Sequence, residues 1–186
     1  CDQILVIRAS AEADIFMQIF NSDGSDAAAC GNGTRCVADL VMRALGLSKL
    51  SIETDAGILQ SWRAAENANH IAVDMGPARL AWDEVPLASP ADTVAVDLGS
   101  LVPVTAVCHS IGNPHAVLFV DDAGAIDLAH IGPQLEHHPL FPDRANISFV
   151  TKVGPDQFRM RVWERGGGIT FACGSGACAV GVAVKR

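Results

Sequence analysis

The strongest constraint on the fold is a short segment that occurs twice. Ala29-Cys30-Gly31-Asn32-Gly33 and Ala172-Cys173-Gly174-Ser175-Gly176 agree at four of five positions, and a helix-like stretch follows each. Thr34 to Leu45 places Val37, Leu40, Val41, Ala44 and Leu45 at helical spacing and runs into Gly46, a helix-terminating residue. Ala177 to Lys185 is apolar nearly all round, which predicts a buried helix. A repeated Gly-rich turn and helix predicts two related lobes, each presenting a cysteine at the start of its central helix. A chain of 186 residues is long enough to bury a core without disulfides or metal.

Around these helices the chain is built from short β-branched and aliphatic runs bounded by Gly, Pro, Asn and Asp. Expected strands are Ile4 to Ile7, Ile15 to Phe20, Ser51 to Thr54, Ile58 to Trp62, Ile71 to Val73, Val102 to Val107, Ala116 to Val120, Ile147 to Val150 and Phe158 to Val162. A third helix is expected within Ile126 to His138, starting around Pro133, because proline suits a first helical turn. Gly76-Pro77, followed by Pro86 and Pro90, marks a loop-prone junction and sets the expected domains at 1–76 and 77–186.

Composition excludes some functions. Apolar residues make up 49% of the chain, yet no run approaches the roughly 20 residues of a bilayer span, so no membrane partner is expected. The net charge of -8 comes without a basic cluster, so no nucleic-acid partner is expected either. Six cysteines invite a disulfide framework, but such frameworks belong to short secreted chains with weak cores. With a rich aliphatic core and no signal-peptide pattern, the chain reads as cytoplasmic and reduced.

A cysteine at a helix start sits among unpaired N–H groups at the positive end of the helix dipole, which favours thiolate. Flanking glycines let the turn approach a ligand and aim its N–H groups at a carboxylate. Two such turns around one amino acid would suit stereoinversion, in which one thiolate removes the α-proton and one thiol returns a proton to the opposite face. Lys49, Lys152 and Lys185 lie in no pyridoxal-phosphate motif, and neither Cys30 with Cys36 nor Cys173 with Cys178 has the spacing of a zinc knuckle, so neither cofactor nor metal is expected. The competing interpretation is that both cysteines are small buried residues beside tight turns.

Taken with Cys1-Asp2-Gln3, Asn21-Ser22-Asp23-Gly24-Ser25, Gly112-Asn113-Pro114-His115, Arg144-Ala145-Asn146 and Trp163-Glu164-Arg165-Gly166, the two cysteine segments resemble the diaminopimelate epimerase family from the first residue to the last. The resemblance implies Cys30 and Cys173 as the acid/base thiols, with His115 and Glu164 tuning them. It implies substrate binding by Gln3, Asn21, Asn113 and Asn146, by Gly31, Asn32, Gly174 and Ser175 in the two turns, and by Glu164 and Arg165. Cys36, Cys108 and Cys178 are expected to pack in the interior, and His70, His109, His130, His137 and His138 to be structural or surface residues.

The implied fold is α/β, with two pseudo-symmetric lobes, each a mostly antiparallel sheet wrapped around a central helix and the active site between them. The first lobe would lack strands at its start and the second at its end, relative to the family. The implied reaction interconverts LL- and meso-diaminopimelate without cofactor, for lysine and cell-wall precursor synthesis, in a cytoplasmic homodimer. A proline or hydroxyproline racemase-like enzyme of the same fold, a non-catalytic binding protein and a thiol redox protein are the alternatives.

Overall fold

A computed structural model describes residues 3–27 and 30–186. Cys1 and Asp2 of the first motif, and Ala29 of the first cysteine segment, lie outside the described residues. The chain divides into two compact units, Cys1–Gly76 and Pro77–Arg186.

The first unit is a five-stranded sheet with one helix. Its strands are β1 (Gln3–Arg8), β2 (Ile15–Asn21), β3 (Lys49–Thr54), β4 (Gly57–Ala64) and β5 (Asn67–Asp74), and they lie side by side in chain order. All neighbours are antiparallel except β2 and β3, which run parallel. Parallel neighbours need a crossover, and α1 (Gly31–Leu45) provides it. Ile15, Met17 and Ile19 alternate inward along β2 and meet Val37, Ala38, Val41 and Met42 of α1 and Leu50 and Ile52 of β3. Burying each large aliphatic side chain contributes about 2 kcal/mol before chain entropy is counted. Gly46 ends α1 in the left-handed region, φ 68°, with its N–H on the Met42 carbonyl.

The second unit repeats the pairing pattern. Strands β6 (Val107–Ser110), β7 (Pro114–Phe119), β8 (Asn146–Gly154), β9 (Gln157–Glu164) and β10 (Gly168–Ile169) lie in chain order across the sheet, with β7 and β8 parallel and the other pairs antiparallel. Here α2 (Leu128–Glu136) forms the crossover, and the cysteine-led helix α3 (Gly174–Lys185) follows the last strand. The sheets therefore match strand by strand, but their cysteine helices enter at different points. Residues on both faces of β7 and β8 are buried. Cys108, Ala116, Leu118, Ile147 and Phe149 face Leu128, Leu135 and the 85–102 loops, while the alternate residues His109, His115, Val117 and Ser148 are buried on the other face.

Three expectations need correction. Residues 102–106 are not a strand, apart from an isolated bridge between Val96 and Ala106, because Val102 and Ala106 pack as loop residues into the core. The middle helix starts at Leu128, not near Pro133, because Asp127 caps it by accepting the His130 N–H, and Pro133 falls inside the helix. Helix α3 is not buried all round: Ala177, Cys178, Gly181 and Val184 are exposed, because only one side of the helix lies on the sheet. Among the described residues no helix is long and apolar enough to cross a membrane.

Candidate active site

Both cysteines occupy the same local geometry. Cys30 and Cys173 are N-cap residues with extended backbones, φ -148° and -130°. Each sulfur accepts the backbone N–H of the glycine three residues on, Gly33 and Gly176, at 3.3 Å. Each cysteine carbonyl accepts the next N–H, from Thr34 at 2.8 Å and Ala177 at 3.0 Å. Sulfur thus replaces the oxygen of a usual N-cap, and both helices begin three residues earlier than periodicity alone predicts.

Glycine suits the third position because a side chain there would crowd the sulfur. A Cβ on Gly33 would stand 3.2 Å from Cys30 Sγ and 2.9 Å from Leu5 Cδ1, and one on Gly176 would stand 3.1 Å from Cys173 Sγ. Helix geometry leaves the N–H groups of residues 31 and 32, and of 174 and 175, to acceptors outside the helix. Each turn therefore joins a capped sulfur to an anion-seeking backbone.

Around Cys173 the second unit assembles most of the expected residues. Ser175 Oγ lies 3.5 Å from Cys173 Sγ and 3.5 Å from Asn113 Nδ2, and Asn113 Oδ1 is 2.9 Å from His115 Nε2. The amide oxygen can only accept, so His115 carries its proton on Nε2. The Cys173 thiol is pushed up to about 11, by burial first and then by the nearby Glu164 charge, while Ser175 and the Gly176 N–H oppose the rise. At neutral pH Cys173 is a thiol. His115, fully buried, is pushed down to about 3 by desolvation, with His109 and Arg165 adding to the effect, so it is neutral. Glu164 raises the Cys173 thiol directly, whereas His115 is linked to Cys173 only by a chain of polar contacts through Asn113 and Ser175. Thr170 donates a hydrogen bond to Glu164 Oε1.

Asn146 is bonded into the scaffold. Its Nδ2 donates to the Pro114 carbonyl at 2.9 Å and its Oδ1 accepts the Arg165 N–H at 3.0 Å, which ties the start of β7 to the turn carrying Glu164 and Arg165. The Arg165 guanidinium donates to the Asp143 carbonyl. In the first unit, Gln3 and Asn21 are register partners on β1 and β2, and Gln3 Nε2 donates to Asn21 Oδ1 at 2.9 Å. Asn21 Nδ2 in turn donates to Ser25. Asn32 accepts from Arg35 within the first turn of α1.

The remaining cysteines differ from expectation. Cys108 is buried, and desolvation pushes its thiol up to about 12, but Cys36 and Cys178 are exposed rather than packed inside. Iodoacetamide at pH 8 is therefore expected to alkylate Cys36 in the native full-length protein and leave Cys108 untouched, as read by peptide mass spectrometry. Equal labelling of the two would contradict this burial. Sequence reasoning did not single out Glu136, buried at the end of α2, and left His109, buried on the α3 face of the sheet, among the structural or surface histidines. Helix periodicity places Glu136 near an apolar face, but a buried glutamate and a surface one look alike in one sequence.

A family model described as diaminopimelate epimerase matches residues 1–81 and 107–186. The whole chain aligns with curated diaminopimelate epimerases of Rhodospirillum centenum, at 52% identity over 64% of that protein, and Acidiphilium cryptum, at 50% over 66%. A third, from Phenylobacterium zucineum, is 47% identical over 68% of its length. The chain thus spans about two thirds of the length of these relatives. Among solved structures, a hydroxyproline epimerase from Agrobacterium vitis superposes with TM-score 0.67 at 16% identity, covering 98% of this chain and 57% of that one. A probable proline racemase from Agrobacterium radiobacter gives TM-score 0.65 at 16% identity, covering 99% and 61%. A Bacillus anthracis protein of the PhzF phenazine biosynthesis family gives TM-score 0.61 at 16% identity, covering 100% and 66%.

Proposed function

The chain belongs to the diaminopimelate epimerase family, and from that premise we propose that the full-length protein interconverts LL- and meso-diaminopimelate by proton transfer through Cys30 and Cys173. The observation that carries this reading is the matched pair of sulfur-capped helices, each with an N–H on sulfur at 3.3 Å. In the proposed mechanism one sulfur takes the α-proton and the other returns a proton to the opposite face of the same carbon; the roles reverse with the direction of reaction. Cys173, a thiol at neutral pH, is the donor in the resting enzyme.

The reacting carboxylate is assigned to the helix-start N–H groups of Gly31, Asn32, Gly174 and Ser175, which would stabilise the charge that develops on it when the α-proton leaves. Gln3, Asn21, Asn113 and Asn146 are proposed to bind the substrate's ammonium and carboxylate groups. Glu164 and Arg165 would receive the non-reacting amino-acid head, where a guanidinium matches a carboxylate. Glu164 also tunes Cys173 through its charge, and His115 does so through Asn113 and Ser175. We further infer a role in lysine and cell-wall precursor synthesis, a cytoplasmic location and a homodimeric assembly.

Reaction of the full-length protein with LL-diaminopimelate in deuterated water tests this reading. The expected result is one solvent deuterium at the inverted α-carbon of the meso product, seen by mass spectrometry and NMR. No exchange would sink the proposal, and inversion of proline or hydroxyproline in its place would favour the racemase-like alternative.

A further inference from the structure

One buried carboxylate has no part in the chemistry above. Glu136, the last residue of α2, is 3% exposed, and a buried charge survives only with close partners. Its partners converge on one turn. Oε2 accepts the indole N–H of Trp163 at 2.6 Å, and Oε1 accepts the backbone N–H of Gly166 at 3.0 Å. Oε1 also stands 3.5 Å from the Arg144 guanidinium. Trp163 and Gly166 bracket Glu164 and Arg165, while Arg144 precedes Ala145 and Asn146, whose amide oxygen holds the Arg165 N–H.

Helix α2 is shaped for this contact. Gly132 lies one turn before Glu136 on the same helix face, and a Cβ there would come within 2.5 Å of the Trp163 ring. The indole thus rests against helix backbone while its N–H reaches the carboxylate. Gly166 adopts φ 70° and Arg144 φ 59°, two left-handed positions that Glu136 ties together.

We propose that Glu136 is the positioning residue for Arg165: its carboxylate clamps both ends of the Trp163–Gly166 turn and supplies the negative charge that lets the Arg144 and Arg165 guanidinia stand near each other. This rests on the proposed function, in which Arg165 meets the second carboxylate of the substrate. The local charges agree with it. Arg144 opposes the charge on Arg165, and Asp143 and Glu136 support it. Without Glu136, Asp143 is left to support that charge, and the clamp on the turn opens. The sulfurs are held independently by their own helix caps, so loss of Glu136 weakens recognition of the far head more than proton transfer.

Full-length wild-type protein is compared with Glu136→Gln, which keeps the shape and removes the charge, and with Glu136→Leu, which removes both hydrogen bonds. The KM for diaminopimelate is expected to rise about tenfold in Glu136→Gln, the scale of one charge-assisted contact, while kcat stays within about threefold. A fall in kcat with unchanged KM would mean a purely structural role and overturn the proposal. A second measurement does not depend on turnover. With Trp62→Phe and Trp82→Phe, Trp163 is the one tryptophan left of the three in residues 1–186, and the protein's tryptophan emission and acrylamide quenching are expected to change when Glu136→Leu is added to that background. An unchanged Trp163 signal overturns the clamp. An altered signal in a protein that epimerises nothing supports the clamp and overturns the functional reading.

Discussion

Alanine at Cys173 in the full-length protein is expected to slow conversion of LL- to meso-diaminopimelate by at least about a thousandfold, and alanine at Cys30 by a similar factor. Each sulfur is assigned a proton transfer that no neighbouring group can assume. Ser175 Oγ is 3.5 Å from Cys173 Sγ, but a hydroxyl is far too weak an acid to replace a thiol in both directions of a reversible transfer. Removing either sulfur stops net inversion both ways, so the double variant should be little worse than either single one. Chiral chromatography of timed reactions reads the effect. Retention of more than about a tenth of wild-type activity in either single variant would refute a two-sulfur mechanism.

Mild acid should unfold the Pro77–Arg186 unit well before its carboxylates are the cause. His115 has its side chain pushed down from 6.5 to about 3 by burial, with His109 and Arg165 contributing. His109 is pushed to about 4, again by burial first and then by the Arg186 charge. Neither ring nitrogen of His109 makes a well-formed hydrogen bond, although the Ala179 backbone lies close enough to favour the protonated ring slightly.

The sign follows from the depressed values. The unfolded chain binds protons on these rings below about 6.5, and the folded chain resists until about 4 and about 3. Their contribution to stability is complete above pH 6.5 and is lost as the pH falls through that window, by several kcal/mol together. The urea midpoint of the full-length protein should therefore fall steadily from pH 6.5 to 4. His109→Phe should flatten this acid limb, because phenylalanine fills a similar space without titrating. An acid limb of unchanged steepness in that variant would show that the histidine does not drive the loss. At the alkaline end the sense is opposite: Cys108 and Cys173, raised from 9.0 to about 12 and about 11, stabilise the fold below pH 9 and cease to do so as the thiols ionise.

Much of this could be read in the sequence wherever a local rule has a single outcome. Alternating Ile15, Met17 and Ile19 can bury only one face of a strand, and Gly46 at the end of an apolar helical stripe has few other uses. The cysteine turns were legible because they repeat. Their role as caps was less so, since periodicity begins where side chains pack and sees nothing of a first helical turn built from Gly31, Asn32 and Gly33. Elsewhere tertiary contacts decide the outcome. Val102 to Val107 has the composition of a strand, yet most of it packs as loop, and the strand itself begins only at Val107. The apolar perimeter of α3 suggested burial on all sides, but a helix lying on a sheet is covered only where it touches. Glu136 and His109 were invisible as site-side residues because their importance lies in what is folded against them, Trp163 and Gly166 in one case and His115 in the other.

The different positions of the two cysteine helices in otherwise matching sheets bear on how the chain acquires its sulfurs. Cys30 lies within the crossover between the parallel partners β2 and β3, so its turn forms during the non-local closure that tends to limit folding rates. Cys173 comes after β10 in the chain, so its helix docks on β6 to β9 once those strands have already been made. Since chains emerge from the ribosome N-terminus first, the two sulfurs, alike in final geometry, mature by separate kinetic routes. A nascent chain that has not yet released α3 already holds the first cysteine turn together with β1 to β5, while β6 to β10 still wait for the second turn.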